Sequence, residues 1–197
     1  MAKKGLQYVC MAKLQEDGTH AEGFYMGPSA KLTATASTNT TKDFGDNRVV
    51  VADTSVTTGT ISIEVNEFTN KTYAGALGHQ YDEEKDIVTC NSNDAAPYMG
   101  VACIGESTGE KPYKAVIYPR VQFKEPTNEY ETKQEQVSYT HTTLEGDFYT
   151  LENGNYSIKV GFETEKEAKD FINEKFKIQA GNPGQETGGE AKEDVEV

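Results

Sequence analysis

The stretch Thr60-Ile61-Ser62-Ile63-Glu64-Val65-Asn66 alternates apolar and polar residues at every step. Because successive side chains of a β-strand point to opposite faces, this pattern is typical of a strand with one face in a core and the other in solvent. Further segments share strand-like patterns, at 6–15, 30–37, 48–52, 98–104, 113–123, 136–143, 148–151 and 156–161. So many short strands predict a mainly β fold of two packed antiparallel β-sheets, as a sandwich or partial barrel.

Turn residues separate several of these segments. The stretches 16–18, 145–147 and 152–154 read Glu-Asp-Gly, Glu-Gly-Asp and Glu-Asn-Gly. Gly, Asn and Asp tolerate positive φ, which tight hairpin turns require. We therefore expect each of the three stretches to join a pair of strands.

Two segments have the periodicity of amphipathic helices and are expected to flank the sheets. In the first, at 164–177, Thr164 and Glu167 have capping-box spacing. Its apolar stripe contains Ala168, Phe171, Ile172 and Phe176. A shorter helix is predicted at 68–77, with Gly78 as its terminator.

Two polar segments break this pattern. Residues 37–59 are rich in Thr, Asn, Asp and Gly, which predicts a long mobile excursion from the domain. Residues 179–197 contain too few apolar residues to offset the entropy of ordering, which predicts a disordered acidic tail. Residues 1–178 then form one β domain.

The composition predicts a soluble protein. The chain has 197 residues and a net charge of −13, and no apolar run reaches the roughly 18 residues that a membrane span needs. The first residues lack the apolar core of a secretory signal, so we expect the protein to stay in the compartment where it is made. An acidic surface repels nucleic acid, which disfavours direct DNA binding.

Cys10, Cys90 and Cys103 are an odd number of cysteines at wide spacings. This arrangement does not indicate a disulfide framework. We expect all three to be small buried apolar residues in a reducing cytoplasm.

Motifs with a catalytic or metal-binding appearance have simpler interpretations. Residues 105–109 match the G-x-S-x-G pattern of hydrolases, but a strand follows where that site needs a helix. The acidic residues at 82–86 lack the spacing of a calcium loop, which favours a solvated turn. His20, His79 and His141 have no metal-ligand spacing, although a Cys–His pair that meets only in space stays open. We predict no enzyme, no cofactor and no metal site.

The order of several short blocks resembles the major tail protein family of long-tailed, non-contractile bacteriophages that infect Gram-positive bacteria. The blocks are Asp46-Asn47, Gly59-Thr60-Ile61-Ser62-Ile63, Tyr73-Ala74-Gly75-Ala76-Leu77-Gly78 and Ala96-Pro97-Tyr98-Met99-Gly100. Later blocks of the family are similar to Tyr118, Phe123-Lys124-Glu125-Pro126 and Glu131-Thr132-Lys133. The resemblance covers about residues 5–150.

The resemblance implies a structural protein of the virion tail, made in the host bacterial cytoplasm. In this family two packed β-sheets are flanked by a helix, six copies join into a ring with a continuous inner barrel, and rings stack into a tube. The implied partners are further copies of the chain, the tape measure protein in the lumen, and the tail terminator and distal tail proteins. DNA passes through without specific binding, and an acidic lumen fits the net charge.

Within this interpretation Val49, Val50 and Val51 are the candidate inter-ring contact, because an apolar run in a polar excursion needs a partner surface. The helix at 164–177 and the tail at 179–197 lie outside the resemblance, and an infectious phage and a prophage-derived particle would use the same subunit. A carbohydrate- or surface-binding β-sandwich of a bacterial protein explains the strands equally well. That alternative predicts a stable monomer with a concave aromatic platform.

Overall fold

Ten β-strands and two α-helices form the part of the chain that the computed structural model describes, residues 3–45, 48–66, 68–127 and 142–178. In chain order they are β1 (Lys3–Leu14), β2 (His20–Tyr25), β3 (Ser29–Gly45), β4 (Arg48–Val65), α1 (Asn70–Leu77), β5 (Gln80–Asp82), β6 (Ile87–Thr89), β7 (Met99–Ser107), β8 (Tyr113–Phe123), β9 (Thr142–Tyr149), β10 (Ile158–Phe162) and α2 (Glu165–Phe176).

Most strands belong to one large antiparallel sheet with the order β2-β1-β7-β8-β9-β4-β3, in which β10 also pairs with β8. Strands β5 and β6 form a small second sheet. The large sheet curls on itself, because Val9 of β1 and Ile61 of β4 share one core cluster although three strands lie between them. The predicted mainly β class, with antiparallel sheets flanked by helices, is confirmed.

Strand β7 separates two cores because it is buried on both faces. Met99, Val101 and Cys103 lie in the inner core, which the curled sheet encloses. Ala102 and Ile104 alternate with them and lie in the outer core beneath α2. Burial on both faces explains why apolar residues run continuously through the start of this strand.

A β-bulge in β8 moves the buried residues of that strand from one core to the other. Met99 pairs with Val121, but Val101 pairs with Tyr118, so β8 contains one extra residue at this point. A shift of one residue exchanges the two faces of a strand. Val121 accordingly lies in the inner core, whereas the odd-numbered residues before the bulge lie in the outer core. Pro119 lies in the bulge, where its missing N–H does not interrupt the ladder.

Helix α2 covers the outer core and confirms the prediction for 164–177. The Thr164 hydroxyl accepts a hydrogen bond from the N–H of Glu167, and the Glu167 carboxylate accepts one from the N–H of Thr164. These two bonds are the predicted capping box. The buried face consists of Ala168, Ile172 and Phe176. Phe171, which was also expected on this stripe, is half-buried against Phe162.

Helix α1 confirms the shorter predicted helix. The Thr69 hydroxyl caps its first turn by accepting from the N–H of Thr72. Gly78 ends the helix in the left-handed conformation, with a φ of 78°, and donates its N–H to the carbonyl of Ala74. Glycine is favoured at this position because it adopts the left-handed backbone conformation without steric strain.

Two of the three predicted hairpin joints are wrong. Gly146 lies inside β9, and a Cβ there would lie 2.5 Å from the carbonyl oxygen of Gln122, so this glycine permits a close approach of two strands. The turn at 152–154 reverses the chain, but β9 pairs with β4 and β8, whereas β10 pairs only with β8 among the described strands. The joint at 16–18 is confirmed, since β1 pairs with β2.

The cysteine prediction is correct for Cys10 and Cys103 and wrong for Cys90. The first two are buried, and burial raises the pKa of the Cys10 thiol. Cys90 is exposed and directly follows the short strand β6. The predicted strand residues 136–141 and the predicted tail at 179–197 lie outside the described residues. No described helix is long and apolar enough to cross a membrane.

Candidate assembly surface

The hairpin of β3 and β4 continues well beyond the rest of the sheet. Pairing between β4 and β9 ends with Thr58 opposite Tyr149. Strands β3 and β4 go on pairing with each other from Ser37 opposite Thr58 out to Gly45 opposite Arg48. We call residues 37–58 the arm. At roughly 3.3 Å per residue, its first strand spans about 26 Å.

The predicted excursion at 37–59 contains two paired strands, and the predicted strand at 48–52 lies within the second of them. That the segment is an excursion from the domain stays a prediction. Threonine and valine are frequent in it, and β-branched residues favour strands even where the composition is polar. Its mobility in an isolated subunit stays a prediction.

Strand β3 is exposed on both faces at the root of the arm. Residues 35–38 are all exposed, and neighbouring strand residues point to opposite faces. On β4, Ser55 and Thr57 are exposed, whereas Val56 and Thr58 are half-buried. Gly59 lies directly after the arm, and only glycine fits there, because a Cβ at this position would collide with the ring of Phe148. Two-stranded hairpins are marginally stable in water, so contact with another molecule would stabilise the arm.

The predicted inter-ring contact lies near the far end of the arm. Val49 pairs with Phe44 and Val51 with Asp43, next to the pair that closes the hairpin. Val50 lies between them in β4. The three valines therefore lie close to the far end of the arm in its pairing register. Their contact with a second ring stays a prediction.

The large sheet also has two outer strands. Within the described residues β2 pairs only with β1, and β3 pairs only with β4. An edge strand presents unpaired backbone N–H and C=O groups, so a strand of another chain can add to the open edge of β3. On β2, by contrast, Gly23 lies against the end of α2.

Three side chains form a row beside the root of the arm, one directly before β7, one on β8 and one on β9. The guanidinium carbon of Arg120 lies 4.1 Å from the ring centroid of Tyr98 and 6.0 Å from that of Tyr149. The two tyrosine rings meet edge to face, with centroids 6.0 Å apart. Tyr98 is 37% exposed. We call these residues the tyrosine–arginine row.

A separate polar cluster joins α1 to the end of β8. The Nδ1 of His79 lies 2.8 Å from Asp94 Oδ2, and its Nε2 lies 2.5 Å from Glu125 Oε1. The Tyr73 hydroxyl donates to the second oxygen of Glu125 at 2.6 Å. Tyr73 also stacks on the imidazole, with centroids 5.4 Å apart.

The surroundings of His79 favour the charged imidazole. Burial alone would lower its pKa, but hydrogen bonds with Asp94 and Glu125 outweigh burial and raise the pKa. A carboxylate lies at each ring nitrogen, so the imidazole is held between Asp94 and Glu125. The cluster is therefore a polar link between these elements.

The other described histidine is His20, whose contacts differ from those of His79. Its Nε2 lies 2.8 Å from the carbonyl oxygen of Pro119, and its ring packs on Phe176 with centroids 5.0 Å apart. Burial lowers the pKa of His20. His141 lies outside the described residues. The structure thus does not bring the described histidines together.

The hydrolase-like motif closes the hairpin of β7 and β8, as predicted. The N–H of Ser107 donates to the carbonyl of Pro112 at 2.8 Å, and a strand follows. The acidic residues at 82–86 form an exposed turn between β5 and β6, in which Asp82 accepts two backbone N–H bonds. In the described ranges no group of three or more potential ligands is arranged to hold a metal ion.

An open cleft of about 540 Å³ lies between the first half of β1 and the start of α2. Its lining includes Tyr8, Tyr25 and Lys169. Tyr8 is only 7% exposed, it stacks on Tyr25 with centroids 5.4 Å apart, and the Lys169 ammonium lies 5.4 Å from its centroid. The ring of Tyr8 is therefore engaged within the chain and is not presented to a ligand.

Known proteins offer no family assignment. No family model and no curated protein matches this chain. The arm, the sheet edges and the tyrosine–arginine row are thus interpreted from their own geometry. Sequence reasoning singled out the valines of the arm but missed the row, whose members lie at 98, 120 and 149 and meet only through strand pairing.

Proposed function

We propose that the chain is the structural subunit of a phage tail tube, which self-assembles into stacked hexameric rings that conduct the genome during delivery. The arm is the observation that carries this proposal. It spans about 26 Å and adds no described residue to either core cluster. A paired segment of this length that continues past the end of β9 is suited to contact another subunit.

The sheet supports the side-by-side part of the assembly. It is curled, and its outer strand β3 pairs only with β4 among the described strands, so one edge of β3 is open there. Such an edge favours association unless something blocks it. In a ring this edge would be closed by a neighbouring copy, and the joined sheets would form a barrel around a lumen.

The net charge of −13 supports the conduit role. A wall of this sign repels the phosphate backbone, so DNA would slide past without adhering. The resemblance at residues 5–150 adds the remaining proposed partners, namely the tape measure protein in the lumen and the tail terminator and distal tail proteins. None of these roles requires a catalytic group or a cofactor.

The binding-module alternative is less well supported. It needs a concave aromatic platform, and the cleft beside β1 does not provide one because Tyr8 is engaged by Tyr25 and Lys169. The exposed large apolar residues of the described ranges are Ile87, Tyr98 and Ile158, which lie on three different strands or loops.

The test compares three purified proteins by negative-stain electron microscopy and sedimentation. The first is the full chain. In the second the arm is replaced by an Asn-Gly turn that joins Ala36 to Gly59, which already pair in register. The third, a matched control, lacks residues from Asn182 onward.

We expect rings or tubes from the full chain and from the control, and a folded protein without tubes from the arm variant. Circular dichroism and thermal melting establish that the arm variant is folded. A full chain that stays monomeric at high concentration in several salts would contradict the proposed function. Tubes formed without the arm would show that stacking depends on another surface.

A further inference from the structure

The tyrosine–arginine row lies on the outer face of the large sheet. Each of its members is the chain neighbour of a residue buried in the inner core, and these neighbours are Met99, Val121 and Phe148. The three buried neighbours also pair across β7, β8 and β9. Because adjacent strand residues point to opposite faces, the row points away from the inner core.

Helix α2 covers only part of this outer face. The outer core beneath it includes residues of β1, β7 and the first half of β8. Tyr98, Arg120 and Tyr149 belong to neither core cluster. The row is therefore a partly exposed surface between the end of the α2 contact and the root of the arm, where Tyr149 pairs with Thr58.

Arg120 lacks the partner that its chemistry favours. Its Nε is buried and has no hydrogen-bond acceptor in the part of the chain that the structure describes. Because a buried Nε is out of reach of another chain, a carboxylate from outside would bind the two terminal Nη groups. Five lysines of the same part form ion pairs with carboxylates, but Arg120 forms none. The chain has 32 acidic residues and only two arginines, so this isolation does not reflect a shortage of carboxylates.

The two tyrosines prepare Arg120 for a contact. Stacking against Tyr98 and Tyr149 restricts the plane of the guanidinium, so less side-chain freedom is lost when it binds. A guanidinium binds a carboxylate through two parallel N–H···O bonds. Tyrosine and arginine are also the residue types that contribute most strongly to protein interfaces.

We infer that the row binds an acidic side chain of a second copy of this chain. The inference rests on the proposed function, since it names one contact of the assembly. Charge complementarity selects this occupant: a copy with an excess of 13 negative charges presents carboxylates to its neighbours. The copy that meets the arm would also meet the row, because both lie at the same end of β9.

Charge and shape variants at position 120 test the inference. Arg120→Gln removes the charge, and Arg120→Lys keeps the charge but removes the planar pair of donors. Lys159→Gln is the matched control, because it removes one positive charge from an exposed position on β10. The readout is the concentration of subunit left unassembled at equilibrium, measured by sedimentation, with thermal melting to verify folding.

We expect both Arg120 variants to raise this concentration about tenfold or more, as loss of an interface hot spot does. Lys159→Gln should leave it unchanged. Equal assembly of Arg120→Gln and the wild-type chain would overturn the inference while the proposed function stands. If Arg120→Lys assembled as well as the wild-type chain, the proposed pair of N–H···O bonds between the guanidinium and a carboxylate would be wrong. A wild-type chain that never assembles refutes the inference and the proposed function together.

Cross-linking gives a second readout that does not depend on assembly strength. A carbodiimide joins an amine to a carboxylate in direct contact, so Arg120→Lys protein is assembled at high concentration from a mixture of ¹⁴N- and ¹⁵N-labelled chains. Mass spectrometry should find position 120 joined to an Asp or Glu of the other isotopic chain. Links confined to one chain, or none at position 120, would overturn the inference.

Discussion

Replacing Phe176 with Ala tests whether α2 is required to cover the outer core. Phe176 is fully buried, its ring packs on His20, and its carbonyl lies against Gly23, where a Cβ would collide with it. Truncation of a buried Phe to Ala costs about 3–5 kcal/mol, because the removed ring leaves a cavity that rigid neighbours fill only in part. For a chain of this size each kcal/mol corresponds to about 2–4 °C, so the melting temperature should fall by roughly 6–20 °C.

Urea unfolding followed by circular dichroism measures this loss directly. Phe171→Ala is the matched control, since Phe171 lies on the same helix but is only half-buried. Its loss should be smaller, about 1–2 kcal/mol, because less apolar area is returned to water. If Phe176→Ala lowered the free energy of unfolding by less than about 1 kcal/mol with an unchanged denaturant slope, the packing of α2 described above would be wrong.

Three further outcomes are expected. Thr164→Ala should cost about 1 kcal/mol in urea unfolding, because the capping box of α2 is lost, and Thr164→Ser should restore most of it. The raised pKa of His79 means that its ion pairs stabilise the fold fully below the ordinary value of about 6.5, and that this effect is lost as the pH rises through the folded-state pKa. Glu125→Gln should therefore destabilise the protein more at about pH 6 than at about pH 9, as thermal melting would show. Replacing the valines at 49–51 with Ser should spare rings and weaken tubes in electron micrographs, whereas intact tubes would remove these valines from the stacking contact.

Local periodicity was sufficient to predict the elements that bury one regular face. The alternation at 60–66 became part of β4, and the stripe at 164–177 became α2 with its capping box. Both signals depend on residues within one element. The arm shows the limit of composition, because frequent threonine in 37–59 fits an irregular loop and a paired hairpin equally well. Whether such a segment forms a loop or a hairpin depends on which strand it pairs with.

Contacts between elements were the part that the sequence could not provide. The residues at 145–147 have the composition of a turn, but Gly146 lies inside β9. Its missing side chain lets the backbone of Gln122 approach closely. The link between His79, Asp94 and Glu125 joins residues that no spacing rule connects. Such groups become visible only when strand order and register are known.

The bulge in β8 explains why the tyrosine–arginine row and the outer core beneath α2 lie on the same sheet without overlapping. Before Pro119 the odd-numbered residues of β8 face α2, and after it Val121 faces the inner core, so Arg120 is turned outward. Without the extra residue Arg120 would point into the inner core, where burying a charge without a partner is strongly unfavourable. Because of this one inserted residue, β8 contributes side chains to the outer core before the bulge and places the Arg120 guanidinium on the outer face after it. The proline favours this arrangement, because it cannot supply the ladder hydrogen bond that a regular strand would need at that position.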